Sequence, residues 1–410
     1  MKNETTFSFF ILVLILLLSA CSSTQEVDEE LWQQALKIHD KALVLDAHAH
    51  PLIFQRGGRD DYDPGRATGN SQNDFITMKK GGLDGFILSL PFLDEKDADN
   101  PTKKILDDAA LVRDHLNTHA SLAELAFSAD DIQRIHASGK RAILLGIEFG
   151  GCLEGQIETL DAYYQAGIRM ITLRSDETDP IDNSDGHEAG ESGLSTYGND
   201  IVRRMNQLGM IIDITHVADQ LQRDIVKASK APVMASHSCA RALVDIPRNI
   251  PDPILQEIAQ NGGAVMTTFY SGFLSNDYRA RSEEADKRIE EEKKQLEKQF
   301  QDNPAELEKR VKDLEETFKP KRADIASLID HIDHGVKVAG IDHVGLGSDF
   351  GGTNTPIGLE SSAGFPRITY HLLKRGYTED QIDKIVGGNL LRVIQEIENV
   401  SADMRSSQME

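Results

Sequence analysis

The sequence predicts an α/β chain folded as a single (β/α)8 barrel, and three observations carry that expectation. Eight short apolar runs recur between residues 42 and 349, most of them unbroken Val/Ile/Leu/Met. Such runs mark parallel strands buried on both faces. Helical patterns such as Ile201–Leu208 and Pro253–Gln260 separate them, giving the strand–helix alternation of a barrel. Histidines and carboxylates then collect where the runs end, which is where barrels keep their chemistry. A doubly wound open sheet is the alternative, but no glycine-rich dinucleotide loop follows the first run.

Taken in order, the chain opens with an apolar stretch from Phe7 to Leu18, then Leu18-Ser19-Ala20-Cys21. A run this short, ending in small residues, reads as a signal h-region and cleavage site rather than a span. Cysteine directly after Leu-Ser-Ala resembles the bacterial lipoprotein box, so Cys21 is the expected lipidation site. Residues 1–20 are then a signal peptide and 21–30 a tether. The expected product is an exported bacterial lipoprotein, membrane-anchored and facing the periplasm or the cell surface. An uncleaved anchor or a plain secretory signal is the alternative. Only Cys152 and Cys239 remain after Cys21; they could pair, but two cysteines are no disulfide framework.

The expected strands are ALVLDA (42–47), DGFILSL (84–90), RAILLGIE (141–148), RMITLR (169–174), MIIDIT (210–215), PVMASH (232–237), GAVMTTF (263–269) and HVGLGSD (343–349). Together they define one domain over 31–400, followed by a polar tail at 401–410. Between residues 277 and 321 the chain is dense in Glu, Lys and Arg. Ile289, Leu296 and Phe300 form one apolar stripe there, and Leu307, Val311, Leu314 and Phe318 another. Asp302-Asn303-Pro304 breaks and restarts the helix. This is a charged helical hairpin inserted after the seventh strand, packed on the barrel; a partner-binding arm is its alternative role. The 67 acidic against 44 basic residues, with no basic stripe, exclude a nucleic-acid partner.

At the strand ends stand Asp46-Ala47-His48-Ala49-His50, Glu148, Thr215-His216, Ser236-His237 and Ser348-Asp349. Residues i and i+2 of a strand face one side, so His48 and His50 can share a cation. With Glu148, His216 and His237 they make five N/O ligands and no thiolate. That set suits zinc, with manganese or cobalt as substitutes. Five ligands exceed one open catalytic site but suffice for two ions sharing a carboxylate, an arrangement that activates a bridging water. Asp349 would move the proton to the leaving group. The remaining histidines sit mostly in helical patterns and read as structural or solvent-facing.

The stretches DAHAHP, GIEFGG, YGNDIVRRMNQLGMIIDITHV, APVMASHSCARALVDIPRNIPD, DHVGLGSDFGG and VGGNLLRVI together resemble the membrane dipeptidase (renal dipeptidase) family of zinc metallopeptidases. The resemblance runs over nearly the whole mature chain. It implies a barrel of the metal-dependent hydrolase type with two zinc ions, acting on dipeptides, some with a D-residue at the C-terminal side. Position by position it implies that His48 and His50 hold the first ion, Glu148 bridges, and His216 and His237 hold the second. Arg248 would grip the substrate's free carboxylate, and Asp349 would shuttle the proton. Two departures stand out. His50 replaces the usual aspartate, and no histidine follows the fourth strand, where Arg174 is the candidate oxyanion donor and His187 lies in a nearby loop. The expected protein is therefore a lipid-anchored zinc dipeptidase with a small peptide substrate and a homodimer as a possible assembly. A related amidohydrolase acting on another small amide or lactone, and a non-catalytic metal- or peptide-binding lipoprotein, are the alternatives.

Overall fold

The computed structural model describes residues 28–50, 63–66, 71–90, 100–148, 150–174, 181 and 193–407. The signal segment, Cys21 and His187 lie outside the described residues. Nine parallel strands form one sheet: β1 Leu45–Ala49, β2 Gly85–Leu90, β3 Ala123–Leu125, β4 Arg141–Ile147, β5 Ile168–Thr172, β6 Ile211–Asp213, β7 Met234–Ser238, β8 Ala264–Thr268 and β9 Val344–Gly347. Eight follow the order β1-β2-β4-β5-β6-β7-β8-β9, while β3 pairs with β4 off this path. The chain is a (β/α)8 barrel. Every expected run supplies a barrel strand; β3 is too short, at three residues, to leave a periodic signal.

The ring closes at the strand tails. Ala49 bridges Phe350, His50 N donates to Phe350 O (2.5 Å) and Asp349 N to His48 O (2.9 Å). Leu45, Ile87, Leu144, Met170, Ile211, Met234 and Met266, one from each of seven barrel strands, fill the lumen. The last helix, Asn389–Ser406, adds Leu390, Val393, Ile394 and Ile397 to that cluster. A larger apolar layer lies between the strands and the outer helices. The lumen is therefore a packed plug that leaves only the C-terminal strand ends for polar groups.

Two boundaries differ from the sequence reading. The last helix runs through 401 to Ser406, and buried Ser401 donates through Oγ to Gln207 O (2.7 Å). The stretch read as a polar tail is thus the end of a packed amphipathic helix. The first helix, Glu29–Lys41, starts inside the expected tether, capped by Asp28. Cys152 and Cys239 are both buried and form no disulfide with each other.

The inserted hairpin consists of Asn276–Gln299 and Pro304–Thr317, with Asn303 capping the second helix. Only Tyr278, Ala285 and Leu314 of its helices are fully buried. The two apolar stripes are half-covered against each other, and the rest of the surface is charged. The expected break falls where the structure has it.

His331, on the helix Ile325–Ala339, is wedged under the end of β7. Its Nδ1 accepts from Ala240 N (3.1 Å) and its Nε2 donates to Leu274 O (3.3 Å). Burial pushes the imidazole down from the ordinary 6.5 to about 4. The neutral ring is therefore the folded form. As pH falls from about 6.5 to about 4 the unfolded chain takes up a proton that the folded chain refuses, so this contribution is full above that window and lost below it. In denaturant melts the wild type should lose about 3 kcal/mol across the window relative to His331→Gln. Parallel curves for the two proteins would contradict this assignment.

Candidate metal centre

The strand ends carry the site because two strands break their alternation there. Between Asp46 and Ala49 three residue steps of β1 face two of β2, from Phe86 to Leu88. Between Ala235 and Ser238 three steps of β7 face two of β8. Each is a bulge, and a bulge re-aims the side chains that follow it. Leu45 and Met234 below the bulges point into the apolar lumen; His48, His50 and His237 above them meet at its mouth.

Glu148, the residue after β4, is the hub. Its Oε2 lies 2.7 Å from His50 Nε2 and 3.6 Å from His48 Nε2; its Oε1 lies 3.0 Å from His216 Nε2 and 3.5 Å from His237 Nε2. The two imidazoles of each pair are themselves close, at 2.8 Å for His48 and His50 and 3.1 Å for His216 and His237. Asp349 Oδ1 stands 3.8 Å from His50 Nε2. Three overlapping triads bring ligand atoms within 4.8 Å of one another: His48/His50/Glu148, Glu148/His216/His237 and His48/His237/Asp349. All six residues that the sequence nominated for this centre converge on it.

Two buried aspartates hold the arrangement, and sequence reasoning gave neither a role. Asp213 Oδ1 accepts from Thr215 N (3.0 Å), Thr215 Oγ1 (2.7 Å) and Ser236 N (2.8 Å); Oδ2 accepts from Thr172 Oγ1 (2.6 Å) and Ser236 Oγ (2.7 Å). Because the Ser236 hydroxyl proton goes to Asp213, its oxygen accepts from His237 Nδ1 (2.9 Å). That fixes the tautomer and leaves a bare lone pair on His237 Nε2, facing Glu148 Oε1. A lone pair against a carboxylate oxygen is repulsive unless a cation lies between them, so this donor set fits a metal ion. Asp46 does the same for the β1–β9 seam, accepting from Ser348 N (2.7 Å) and His48 N (3.2 Å) on Oδ1 and from Ser348 Oγ (2.5 Å) on Oδ2. Burial still pushes Asp46 up to about 6. A carboxylate inside an otherwise apolar run was the available signal for both.

Charge follows burial. Dehydration would raise Glu148, but the four imidazoles around it outweigh burial and hold the carboxyl well below its usual range. Burial pushes His237 well down and His216 down; it also opposes the charge of His48, where the carboxylates of Glu148, Asp349 and Asp213 win and raise the ring. Asp349 is raised, chiefly by burial. His216 and Asp349 both adopt left-handed backbone, with φ of 62° and 59°, a strain of roughly 1–3 kcal/mol each that the surrounding network must hold.

Arg248 borders the centre. Its Nη1 donates to Ser238 Oγ (3.0 Å), and its Nη2 to His237 O (2.8 Å) and toward His216 Nε2 (3.2 Å). Its segment is braced by Arg241, which pairs with both oxygens of Asp219 (2.6 and 2.7 Å) and donates to the carbonyls of Asn249 and Pro247. Arg174 is exposed two residues past β5, with its N–H on Thr172 O (3.0 Å).

With this geometry in place, the profile of the membrane dipeptidase family (Peptidase family M19) matches residues 32–408. The chain belongs to that family. Among curated relatives, Dipeptidase tcpJ of Claviceps purpurea is 31% identical over 292 residues, which is 71% of this chain and 59% of that protein. Human Dipeptidase 3 is 31% identical over 289 residues, 69% of this chain and 50% of that protein. The chain thus spans little more than half the length of these relatives. The probable dipeptidase PvdM of Pseudomonas aeruginosa superposes with a TM-score of 0.75 at 25% identity, over 91% of this chain and all of that one. A metallopeptidase of Rhodobacter sphaeroides, solved with a phosphinate mimic of the dipeptide L-Ala-D-Ala, shares the fold with a TM-score of 0.69 at 18% identity, over 87% of this chain and 99% of that one. A metallopeptidase family and a donor set shaped for cations agree.

If Ser236 sets the tautomer of a metal-ligating His237, Ser236→Ala should weaken metal binding about tenfold or more while Ser236→Thr keeps much of it. Competition with a chromophoric chelator reads this without any activity assay. Equal affinity for all three proteins would remove Ser236 from the site.

Proposed function

We propose that this member of the family is a binuclear zinc dipeptidase that cleaves dipeptides bearing a free C-terminal carboxylate. The observation that carries the proposal is Glu148, each of whose oxygens faces its own pair of imidazoles. His48, His50 and Glu148 Oε2 would hold one ion; Glu148 Oε1, His216 and His237 would hold the other. Manganese or cobalt would be accepted by the same donors. When bound, two such ions supply Lewis acidity at the scissile carbonyl and acidify a water.

The protein's own residues do the rest. Asp349 lies beside His50 with its carboxyl raised by burial, so it can take a proton from the attacking water and give it to the leaving amine. Arg248 offers a planar cation at the rim, and its buried Nε has no hydrogen-bond partner among the described residues. A guanidinium so placed suits a carboxylate, which it grips as a fork. His50, standing where the family usually has aspartate, keeps a ligand but removes a negative charge, which should make a metal-held water more acidic.

A second reading, another small amide or a lactone as substrate, is favoured by the end of β5, where an exposed Arg174 replaces the family's histidine. We also propose, from MKNETTFSFFILVLILLLSACSS alone, that the protein is exported and lipid-anchored through Cys21.

A panel of L,L- and L,D-dipeptides, amides and lactones, assayed with metal content measured alongside, separates these readings. Dipeptide turnover with about two metals per chain supports the first, and turnover of other amides or lactones alone supports the second. Metal binding without any hydrolysis leaves only a binding protein. Asp349→Asn should lower kcat on the best substrate by about 100-fold or more with metal content kept; unchanged turnover would refute the proton relay. Arg248→Lys should raise KM for free dipeptides and leave C-terminally amidated ones unaffected.

A further inference from the structure

The inserted hairpin builds a second concave surface. Its first turn, the segment 321–327 and the helix Pro366–Lys374 enclose a polar cleft of about 510 Å³, within the range of roughly 300–1,000 Å³ that small-molecule sites occupy. Five cations line it: Arg281, Lys321, Arg322, Arg367 and Lys374. Two are engaged, Arg281 with Asp277 (2.6 Å) and Arg322 with Glu360 (2.6 Å). Lys321, Arg367 and Lys374 have no hydrogen-bond or ion-pair partner among the described residues. Asp324, the other carboxylate in the lining, is spent on a helix cap, accepting from Ser327 N (3.1 Å) and Ser327 Oγ (3.2 Å).

The chain carries a net charge of −23, yet these cations share one concavity, whereas Arg288, Lys294 and Arg310 of the hairpin each pair with a carboxylate one turn away. Focusing several like charges around one concave wall raises the local concentration of counter-ions. The half-buried His371 on the same wall registers that field: burial depresses its pKa first, and Lys374 and Arg367 depress it further.

We propose that this cleft is a binding site for a small phosphate-bearing molecule, separate from the metal centre. Three guanidinium groups supply planar donors that match phosphate oxygens in pairs, and two ammonium groups supply point charge. A phosphate dianion would meet the three unpartnered cations without breaking either existing ion pair. The assignment is independent of the dipeptidase reading, because it uses none of the metal-centre residues.

Calorimetric titration of the full, metal-loaded protein with pyrophosphate tests it. Phosphates also bind zinc, so the readout is the difference between wild type and Lys321→Glu/Arg367→Glu, with Lys374→Ala as a milder variant. The wild type should show one saturable site per chain beyond those of the double variant, at least tenfold weaker in Lys374→Ala, and weakening steeply with added salt. Dipeptide hydrolysis in the absence of phosphate should be equal in all three. Superimposed isotherms for wild type and double variant would overturn the proposal. So would binding of phosphatidylglycerol vesicles with no binding of pyrophosphate or soluble glycerol phosphate, which would make the cleft a membrane contact instead.

Discussion

Burying a carboxylate costs several kcal/mol unless cations or hydrogen-bond donors replace its water, and Glu148 is buried at the mouth of a barrel whose lumen is packed with Leu, Ile and Met. Around that one side chain the four imidazoles arrange themselves in two pairs, one for each oxygen. Imidazole is a partial answer to a buried anion. Burial itself drives His216 and His237 toward their neutral forms, so the donors meant to balance Glu148 are discouraged from carrying charge. A divalent cation resolves both conflicts together, by neutralising the carboxylate and by using the lone pairs that neutral imidazoles expose. A cation held here would therefore couple folding to metal occupancy.

The second constraint is geometric. The three-residue strand β6 meets β7 at a single register pair, Asp213 with Met234. The Asp213 carboxylate takes over from there, accepting two backbone N–H groups and three hydroxyls, and so joins β5, β6 and β7 where the ladder has run out. Asp46 repeats the device where β1 meets β9. These junctions let the backbone depart from strand geometry just above them, and the departures are the left-handed residues His216 and Asp349. The strain at His216 and Asp349 is thus held by the Asp213 and Asp46 carboxylates just below them. A buried, hydrogen-bonded network of this kind is rigid only while complete, which ties the precision of the centre to the integrity of the seams.

Family membership and local chemistry then divide the explanation between them. The common fold accounts for the strand-end rim on which His48, His50, Glu148, His216, His237 and Asp349 meet. His50 makes the shortest of the four imidazole contacts to Glu148, at 2.7 Å. The hairpin contributes Ser275, Asp277 and Arg281 to a cleft whose other cations come from 321–322 and the helix Pro366–Lys374.

Much of this was legible in the sequence, and the reason is locality. The eight runs, the hairpin with its break at Asp302-Asn303-Pro304 and the polar residues ending each strand are patterns of two to four residues, and apolar periodicity reports burial without knowledge of partners. Knowing that barrels expose function at strand ends then collected His48, His50, Glu148, His216, His237 and Asp349 from across the chain. Tertiary structure alone decided which atoms meet. Asp46 and Ser348 are 302 positions apart, and no local pattern pairs them; the bulges in β1 and β7 exist only against the strands beside them. The tautomer of His237 depends on a hydroxyl whose proton is claimed by Asp213 on the neighbouring strand. The unpaired cations of the cleft are likewise invisible in a sequence rich in carboxylates, because being unpaired is a property of distance. Sequence nominated the candidate ligands; closure of the barrel specified their geometry, because each contact there joins segments that only the completed ring brings within hydrogen-bonding reach.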